Sequence, residues 1–261
     1  MKNNLIIMGA AGRMGTMIAN LATEEGFSLS GLADRVECLD RLTHWGCQVG
    51  SELAPMLVDH PQAVIIDFTT PQATLCTARL AAQYGNPLVS GVTGLSAEQK
   101  QELERLAVQT PILWSPNMSV GVNVLLTILP RLAHMLGEDY DLEMVEIHHN
   151  KKKDAPSGTA LRLAEGMAES RGWKLDDVMC CLREGLNNER PSRQIGIQAV
   201  RGGDVAGVHT AYFIGQGERI EVTHHAHSRE NFARGALRAA RWMIGRSFCK
   251  LYSIQDILSD N

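Results

Sequence analysis

Long apolar runs, paired-cysteine spacings and any surplus of positive charge are missing from this chain of 261 residues. No apolar run reaches the length of a bilayer span, so no membrane helix is expected. The cysteines (Cys38, Cys47, Cys76, Cys180, Cys181, Cys249) include no C-x-x-C pair and read as reduced thiols of a cytoplasmic protein. Acidic residues outnumber lysine and arginine, for a net charge of −4, so there is no basic footprint for nucleic acid. Met1-Lys2-Asn3-Asn4 runs straight into an apolar strand without a signal-peptide pattern. Low-complexity tracts and internal repeats are absent, and the length suits one large or two ordinary domains.

What is there concentrates in His148-His149-Asn150-Lys151-Lys152-Lys153-Asp154-Ala155-Pro156-Ser157-Gly158-Thr159-Ala160. Ala160, Leu161, Leu163, Ala164, Met167 and Ala168 recur at helical spacing, with Ser157 as N-cap and Arg171-Gly172 at the far end. The first amides of such a helix lack internal partners and carry the positive end of its dipole. Gly158 allows close approach, and the Ser157 and Thr159 hydroxyls add donors, so a carboxylate or phosphate fits there. An ordinary capped helix is the plain alternative. Upstream, Asp141–His148 alternates as a half-buried strand, which puts His148 and His149 on opposite faces. A histidine at this place suits general-acid work, and the lysine run adds fixed charge. A structural histidine and a solvated lysine face are the plain alternatives.

The first part of the chain alternates strands and helices. Leu5–Met8, Leu29–Ala33, Ala63–Phe68, Pro87–Val89 and Ile112–Trp114 read as strands, with helices after Gly12, near Gln72–Gln83 and near Ala97–Gln109. That order implies α/β architecture with a parallel sheet covered on both faces. After Asn117 the pattern becomes α+β. A long helix over Val120–Leu136, with a possible kink at Pro130, is followed by strands at Asp141–His148, Ile195–Val200, His209–Ile214 and Arg219–His224. These suggest an open mixed or antiparallel sheet. Phe232–Ile244 is a last helix. Domain limits are expected at 1–119 with 229–261, and at 120–228.

Gly9-Ala10-Ala11-Gly12-Arg13-Met14-Gly15 joins the first strand to the first helix, with Asp34 at the end of the next strand. Its G-x-x-G-x-x-G spacing is weak as a string; its place between strand and helix makes it a candidate pyrophosphate loop. A glycine turn that merely packs is the plain alternative. Asp34 suits the ribose hydroxyls of NADH, while Arg35 and Arg13 could pair with the phosphate of NADPH, so use of both is expected. Phe68-Thr69-Thr70-Pro71, Ser90-Gly91-Val92-Thr93-Gly94 and Ser115-Pro116-Asn117-Met118 follow later strands, where open sheets bind ligands.

In these motifs the chain resembles the bacterial 4-hydroxy-tetrahydrodipicolinate (dihydrodipicolinate) reductases of lysine biosynthesis over nearly its full length. Further carriers are Asp67-Phe-Thr, Asn117-Met-Ser-Val-Gly-Val-Asn123, Glu146-Ile-His-His149, Arg183-Glu-Gly185, Arg201-Gly-Gly-Asp204 and Gly217-Glu-Arg219. The resemblance implies a Rossmann domain completed by the C-terminal helix, an inserted substrate domain and a homotetramer built by that domain's sheet. It implies NAD(P)H-dependent reduction of a cyclic dicarboxylate imine in the diaminopimelate route. His148 then matches the proton donor and Lys152 the catalytic lysine. His149, Ser157, Gly158 and Thr159 match substrate contacts. Gly9 to Met14, Asp34, Arg35, Gly91, Val92, Thr93, Ser115, Pro116, Asn117 and Met118 match cofactor contacts. Asp34 stands where the family commonly has glutamate, and Met118 where phenylalanine is common. Domain closure is expected about hinges near Ser119 and Ser228.

Three other readings account for fewer of these residues. A metal hydrolase could draw on His148, His149, His224, His225 and His227, but adjacent strand histidines face opposite ways and no H-E-x-x-H occurs. A nucleotide-sensing module leaves the histidine–lysine segment idle. A relative of aspartate-semialdehyde dehydrogenase would need a catalytic cysteine, and none of the six has such surroundings.

Overall fold

The structure, a computed structural model, describes residues 3–185 and 189–260, so Met1 and Lys2 of the N-terminal reading lie outside it. The backbone falls into two compact units, Met1–Val120 with Glu230–Asn261, and Gly121–Arg229.

In chain order the first unit begins β1 (Asn4–Met8), α1 (Arg13–Ala22), β2 (Ser28–Ala33), β3 (Gln48–Gly50) and α2 (Leu53–Asp59). It continues β4 (Val64–Asp67), α3 (Pro71–Tyr84), β5 (Leu88–Ser90), α4 (Ala97–Leu106) and β6 (Ile112–Trp114). The second unit holds most of α5 (Val120–Leu136), then β7 (Asp141–His148), α6 (Gly158–Ser170), α7 (Leu175–Val178) and β8 (Met179–Cys180). Its remaining strands are β9 (Ile195–Arg201), β10 (Gly207–Ile214) and β11 (Arg219–Ala226). The chain returns to the first unit with α8 (Glu230–Met243), β12 (Leu251–Tyr252) and α9 (Ile254–Ser259).

The first sheet runs β12-β6-β5-β4-β1-β2-β3, parallel throughout. The two-residue strand period explains its core. Leu5, Ile7, Val64 and Ile66 pack toward α1 and α8, while Ile6 and Ile65 pack with Leu75, Ala78 and Leu103 of α3 and α4. Both faces are covered, so β1 and β4 read as unbroken apolar runs. Helix α8 buries Ala233, Ala236, Leu237, Ala240 and Met243 in this core, which places the last helix in the Rossmann-type unit. Gly235 is required there, because a Cβ would stand 1.8 Å from the Met118 carbonyl oxygen.

The second sheet runs β11-β10-β7-β9-β8 and is mixed: β10 is antiparallel to both neighbours, and β9 is parallel to β7 and β8. Helix α6 lays Ala160, Leu163, Ala164, Met167 and Ala168 against Leu142, Met144, Ile195, Ile197 and Phe213 of the sheet. Helix α5 adds Leu125, Leu129 and Ala133, and Gly166 makes room for Pro130, which lies inside an unbroken helix. The expectation that no run reaches bilayer length needs correction: Val120–Asp139 is long and apolar enough by length and composition. A core helix passes the same test, and this one commits one stripe to a protein core.

Candidate active site

In the first unit the loop after β1 is shaped by glycine. Gly9 adopts φ +71°, and a Cβ on Gly15 would lie 2.2 Å from the Gly9 carbonyl oxygen, so α1 can start this close only with glycine there. Gly9 and Ala10 donate to the Ala33 carbonyl, and the Ala11 amide donates to Asp34 Oδ2 at 2.9 Å. The Arg35 amide donates to Asp34 Oδ1 at 2.8 Å. Asp34 therefore braces the loop from the end of β2, and each oxygen keeps a second lone pair for a ligand hydroxyl.

A cavity of about 550 Å³ opens here, lined by Gly9, Ala11, Gly12, Asp34, Arg35 and Arg41, and by the Phe68-Thr69-Thr70 turn. That turn is held by Asp67, whose fully buried carboxylate accepts from the Thr69 amide and from the Thr69 and Thr74 hydroxyls. Burial pushes the Asp67 carboxyl above its usual range, and those hydrogen bonds only partly offset it. Volume, glycine-lined wall and helix start fit a nucleotide.

The other expected cofactor residues are placed unevenly. Ala10 and Met118 are core residues, and Met14 packs against that core. Gly12 is the N-cap of α1, and the exposed Arg13 is its first residue. Gly91, Val92 and Thr93 follow β5, outside the lining of this cavity, and Gly91 must be glycine because the Phe68 ring lies against it. Ser115 and Asn117 form a local turn after β6, Ser115 Oγ donating to the Asn117 carbonyl, with Pro116 half-buried between them.

In the second unit the candidate chemistry gathers at the carboxyl end of β7. The strand period puts Leu142, Met144, Glu146 and His148 on the buried face. Glu146 is fully buried and His148 nearly so. His148 Nδ1 lies 2.5 Å from Glu146 Oε2. Arg201, opposite His148 on β9, grips both Glu146 oxygens at 2.7 and 2.8 Å. The Ser157 amide, just before α6, donates to Glu146 Oε1 at 3.0 Å. Burial works to raise the Glu146 carboxyl, but Arg201 and His148 outweigh it and hold the group below its usual range. Burial pulls His148 below the ordinary imidazole value, against the lift from Glu146.

His209, opposite Glu146 on β10, completes the wall. Its ring meets His148 edge-on, with centroids 5.1 Å apart, and its Nε2 lies 3.1 Å from Ser157 Oγ. Ser157 Oγ accepts from the Ala160 amide, which confirms it as N-cap, and shares a hydrogen bond with His209 Nε2. Burial lowers the His209 pKa to about 4, so the ring is neutral.

Of the three lysines only Lys152 is half-buried; Lys151 and Lys153 are exposed. Lys152 Nζ holds both Asp154 oxygens at 2.8 Å. Lys152 first, and the Gly158 amide to a lesser extent, hold the Asp154 carboxyl below its usual range. An anion thus already sits at the start of α6, and it is the chain's own. Thr159 and the half-buried His149 flank this segment.

Glu146, Arg201, His209 and, in the first unit, Arg41 were not among the expected site residues. For Glu146 the signal was in the strand. Asp141 to Met144 alternates polar and apolar, and the phase reverses at Val145, so the inner face turns from Leu142 and Met144 to Glu146 and His148. Arg201 lay in a family motif with no role attached and His209 in none, because β-sheet register is what sets both beside Glu146. Among the described residues no three His, Cys, Asp or Glu side chains gather as a metal site.

Comparison with known proteins covers both units. Residues 3–118 match the family profile for the N-terminus of dihydrodipicolinate reductase, and residues 121–258 match that for its C-terminus. A 4-hydroxy-tetrahydrodipicolinate reductase of Oleidesulfovibrio alaskensis is 57% identical over 259 residues, spanning 99% of this chain and 100% of the relative. One from Syntrophus aciditrophicus is 43% identical and covers 97% of both chains. A dipicolinate-bound dihydrodipicolinate reductase from Paenisporosarcina sp. TG-14 shares the fold, with a TM-score of 0.79 at 24% identity, covering 98% of this chain and 100% of that one. An amine dehydrogenase from Mycobacterium smegmatis shares it more loosely, with a TM-score of 0.61 at 10% identity over 97% of this chain and 95% of that one. Two family profiles that together span almost every residue, and full-length relatives more than half identical, lead to one conclusion: the chain belongs to the dihydrodipicolinate reductase family.

Proposed function

We propose that this chain reduces 4-hydroxy-tetrahydrodipicolinate, by way of dihydrodipicolinate, to tetrahydrodipicolinate with NADH or NADPH, a step toward diaminopimelate and lysine. The observation that carries the reading is the cluster at the end of β7, where His148, Lys152 and the first turn of α6 come together. A dicarboxylate imine needs all three: a proton, a fixed cation and an anion seat.

The first unit holds the cofactor through the Gly9–Met14 loop, Asp34 and Arg35, with Gly91 to Thr93 and Ser115 to Met118 completing the seat. When bound, the reduced nicotinamide supplies the hydride. Asp34 favours ribose hydroxyls; Arg35 and Arg41 on the same cavity favour a ribose phosphate, so both cofactors are accepted.

In the second unit one substrate carboxylate takes the start of α6 among Ser157, Gly158, Thr159 and His149. Lys152 and the Gly158 amide, now turned to Asp154, transfer to it. Lys152 then faces the negative charge left on the ring, and His148 gives the proton. Two substrate carboxylates nearby lift the imidazole pKa that burial depresses, so that the loaded protein holds the proton. Val145, Ile147, Val200 and Val208 share the sheet face away from His148, and this apolar face suits a homotetramer. A cytoplasmic location accords with that chemistry.

A coupled assay with freshly generated substrate, following NADH and NADPH separately, tests the proposal. Turnover with both is expected, and oxidation of neither would defeat it. Pyridine-2,6-dicarboxylate, the ligand named for the Paenisporosarcina protein, is expected to compete with substrate. His148→Gln should lower kcat ~100-fold or more with a smaller change in KM. Lys152→Ala should impair both constants. Wild-type rates in both variants would remove these side chains from the mechanism.

A further inference from the structure

We infer that Glu146 is a positioning residue for proton transfer: it fixes His148 with Nδ1–H on its carboxylate and leaves Nε2 as the nitrogen that carries and releases the proton. The inference rests on the reading of His148 as proton donor.

Glu146 cannot itself reach a substrate. Oε1 accepts from the Ser157 amide and Arg201, and Oε2 accepts from His148 and Arg201, so all four lone-pair directions are used. An ionised carboxylate offers no proton, so His148 Nδ1 must be the donor at their 2.5 Å contact. The neutral ring is then the Nδ1–H tautomer. Proton release breaks the Nε2–H bond and returns the ring to that tautomer, while the substrate carbon gains the C–H bond.

The surroundings of Nε2 agree. A Cβ on Gly207 would lie 3.0 Å from it, so the absence of a side chain at this position keeps that edge of the ring clear. A structural ion pair would need only Glu146 and Arg201. The third donor, His148, and the fourth, from the residue that caps α6, join the proton donor and the anion seat to one carboxylate.

The titratable and charged groups facing His148 come from four segments: Glu146 on its own strand, Arg201 on β9, the neutral His209 ring on β10 and Lys152 on the following loop. Glu146 is the one negative charge among them. Its loss leaves Arg201 and Lys152 to disfavour the imidazolium. A general acid stops working as pH rises through its pKa, so the alkaline limb of the kcat profile should move to lower pH.

The experiment compares kcat and KM across pH for wild type, Glu146→Gln, Glu146→Asp and His148→Gln, with neutron diffraction from ligand-free wild type. Glu146→Gln is expected to lower kcat ~100-fold, change KM much less and shift the alkaline limb by about one pH unit. Glu146→Asp should restore the position of that limb. Neutrons should place hydrogen on Nδ1 of His148, which tests the geometry even if Glu146→Gln fails to fold. Wild-type turnover in His148→Gln would overturn the proton-donor reading itself. A defective His148→Gln beside a Glu146→Gln with an unmoved limb, or a neutral Nε2–H tautomer in wild type, would overturn only the role of Glu146.

Discussion

Each unit buries one carboxylate completely near the carboxyl end of a strand, Asp67 on β4 and Glu146 on β7. Their surroundings drive them apart. Asp67 meets only hydroxyls and an amide, and burial raises its pKa. Glu146 meets a guanidinium, an imidazole and an amide, and its pKa falls although it too is closed off from solvent. Burial alone therefore does not tell what a carboxylate does. Asp67 stiffens the turn that lines the nucleotide-sized cavity. Glu146 sets the charge and orientation of the groups around it.

The largest expected effect tests this directly. Glu146→Ala strips Arg201, His148 and the Ser157 amide of their shared acceptor, and should cost about 3 kcal/mol of stability. Asp67→Asn keeps an acceptor for the Thr69 amide and should cost only about 1 to 2 kcal/mol. Urea unfolding of both variants at neutral pH measures the gap, and equal losses would erase the distinction.

Next comes the acid response of the second unit. His209 has a folded pKa of about 4 against 6.5 for the free ring, so the unfolded chain binds the extra proton between those values. Stability is full above pH 6.5 and falls as pH drops toward 4, by about 3 kcal/mol. His209→Asn should flatten that part of the stability–pH curve.

A smaller effect has opposite signs in the two units. A raised folded pKa makes Asp67 lose stabilisation as pH rises above its unfolded value. A lowered one lets Glu146 contribute above its unfolded value and lose that contribution as pH falls through the folded pKa. Urea midpoints between pH 4 and 7 should show Asp67→Asn gaining on wild type with rising pH and Glu146→Gln losing ground. Parallel curves would mean that the two carboxylates are in the same state. The smallest effect concerns Arg41 on the cavity wall. Arg41→Ala should raise KM for NADPH ~5-fold and leave NADH nearly unchanged.

Much of the fold was legible from local pattern. Unbroken apolar runs at β1 and β4, the glycine loop, the α6 stripe and its Ser157 cap all appear where the residues indicate. The elements not anticipated are short: β3 has three residues, β8 and β12 have two each, α7 has four, α9 six and α2 seven. Pieces of that length carry at most about two periods, too few to stand out from the surrounding sequence, and neighbouring strands or packed helices define them.

The same division holds within the candidate site. The chain by itself determined the glycine loop with Asp34, the His148–Thr159 segment and its capped helix, because each is written within a few residues and obeys local rules of turn, period and cap. Only the tertiary structure decided that Arg201 stands opposite His148, that His209 stands opposite Glu146 and that Arg41 turns back onto the Asp34 cavity. Arg201 and His209 lie more than fifty residues from the strand positions they face and are brought in by β register, whereas Arg41 is close to Asp34 in sequence and is turned onto the cavity by the 3-10 turn Val36–Arg41. The physical reason is that a hydrogen-bonded sheet couples residues by position across strands, which no single stretch of sequence records.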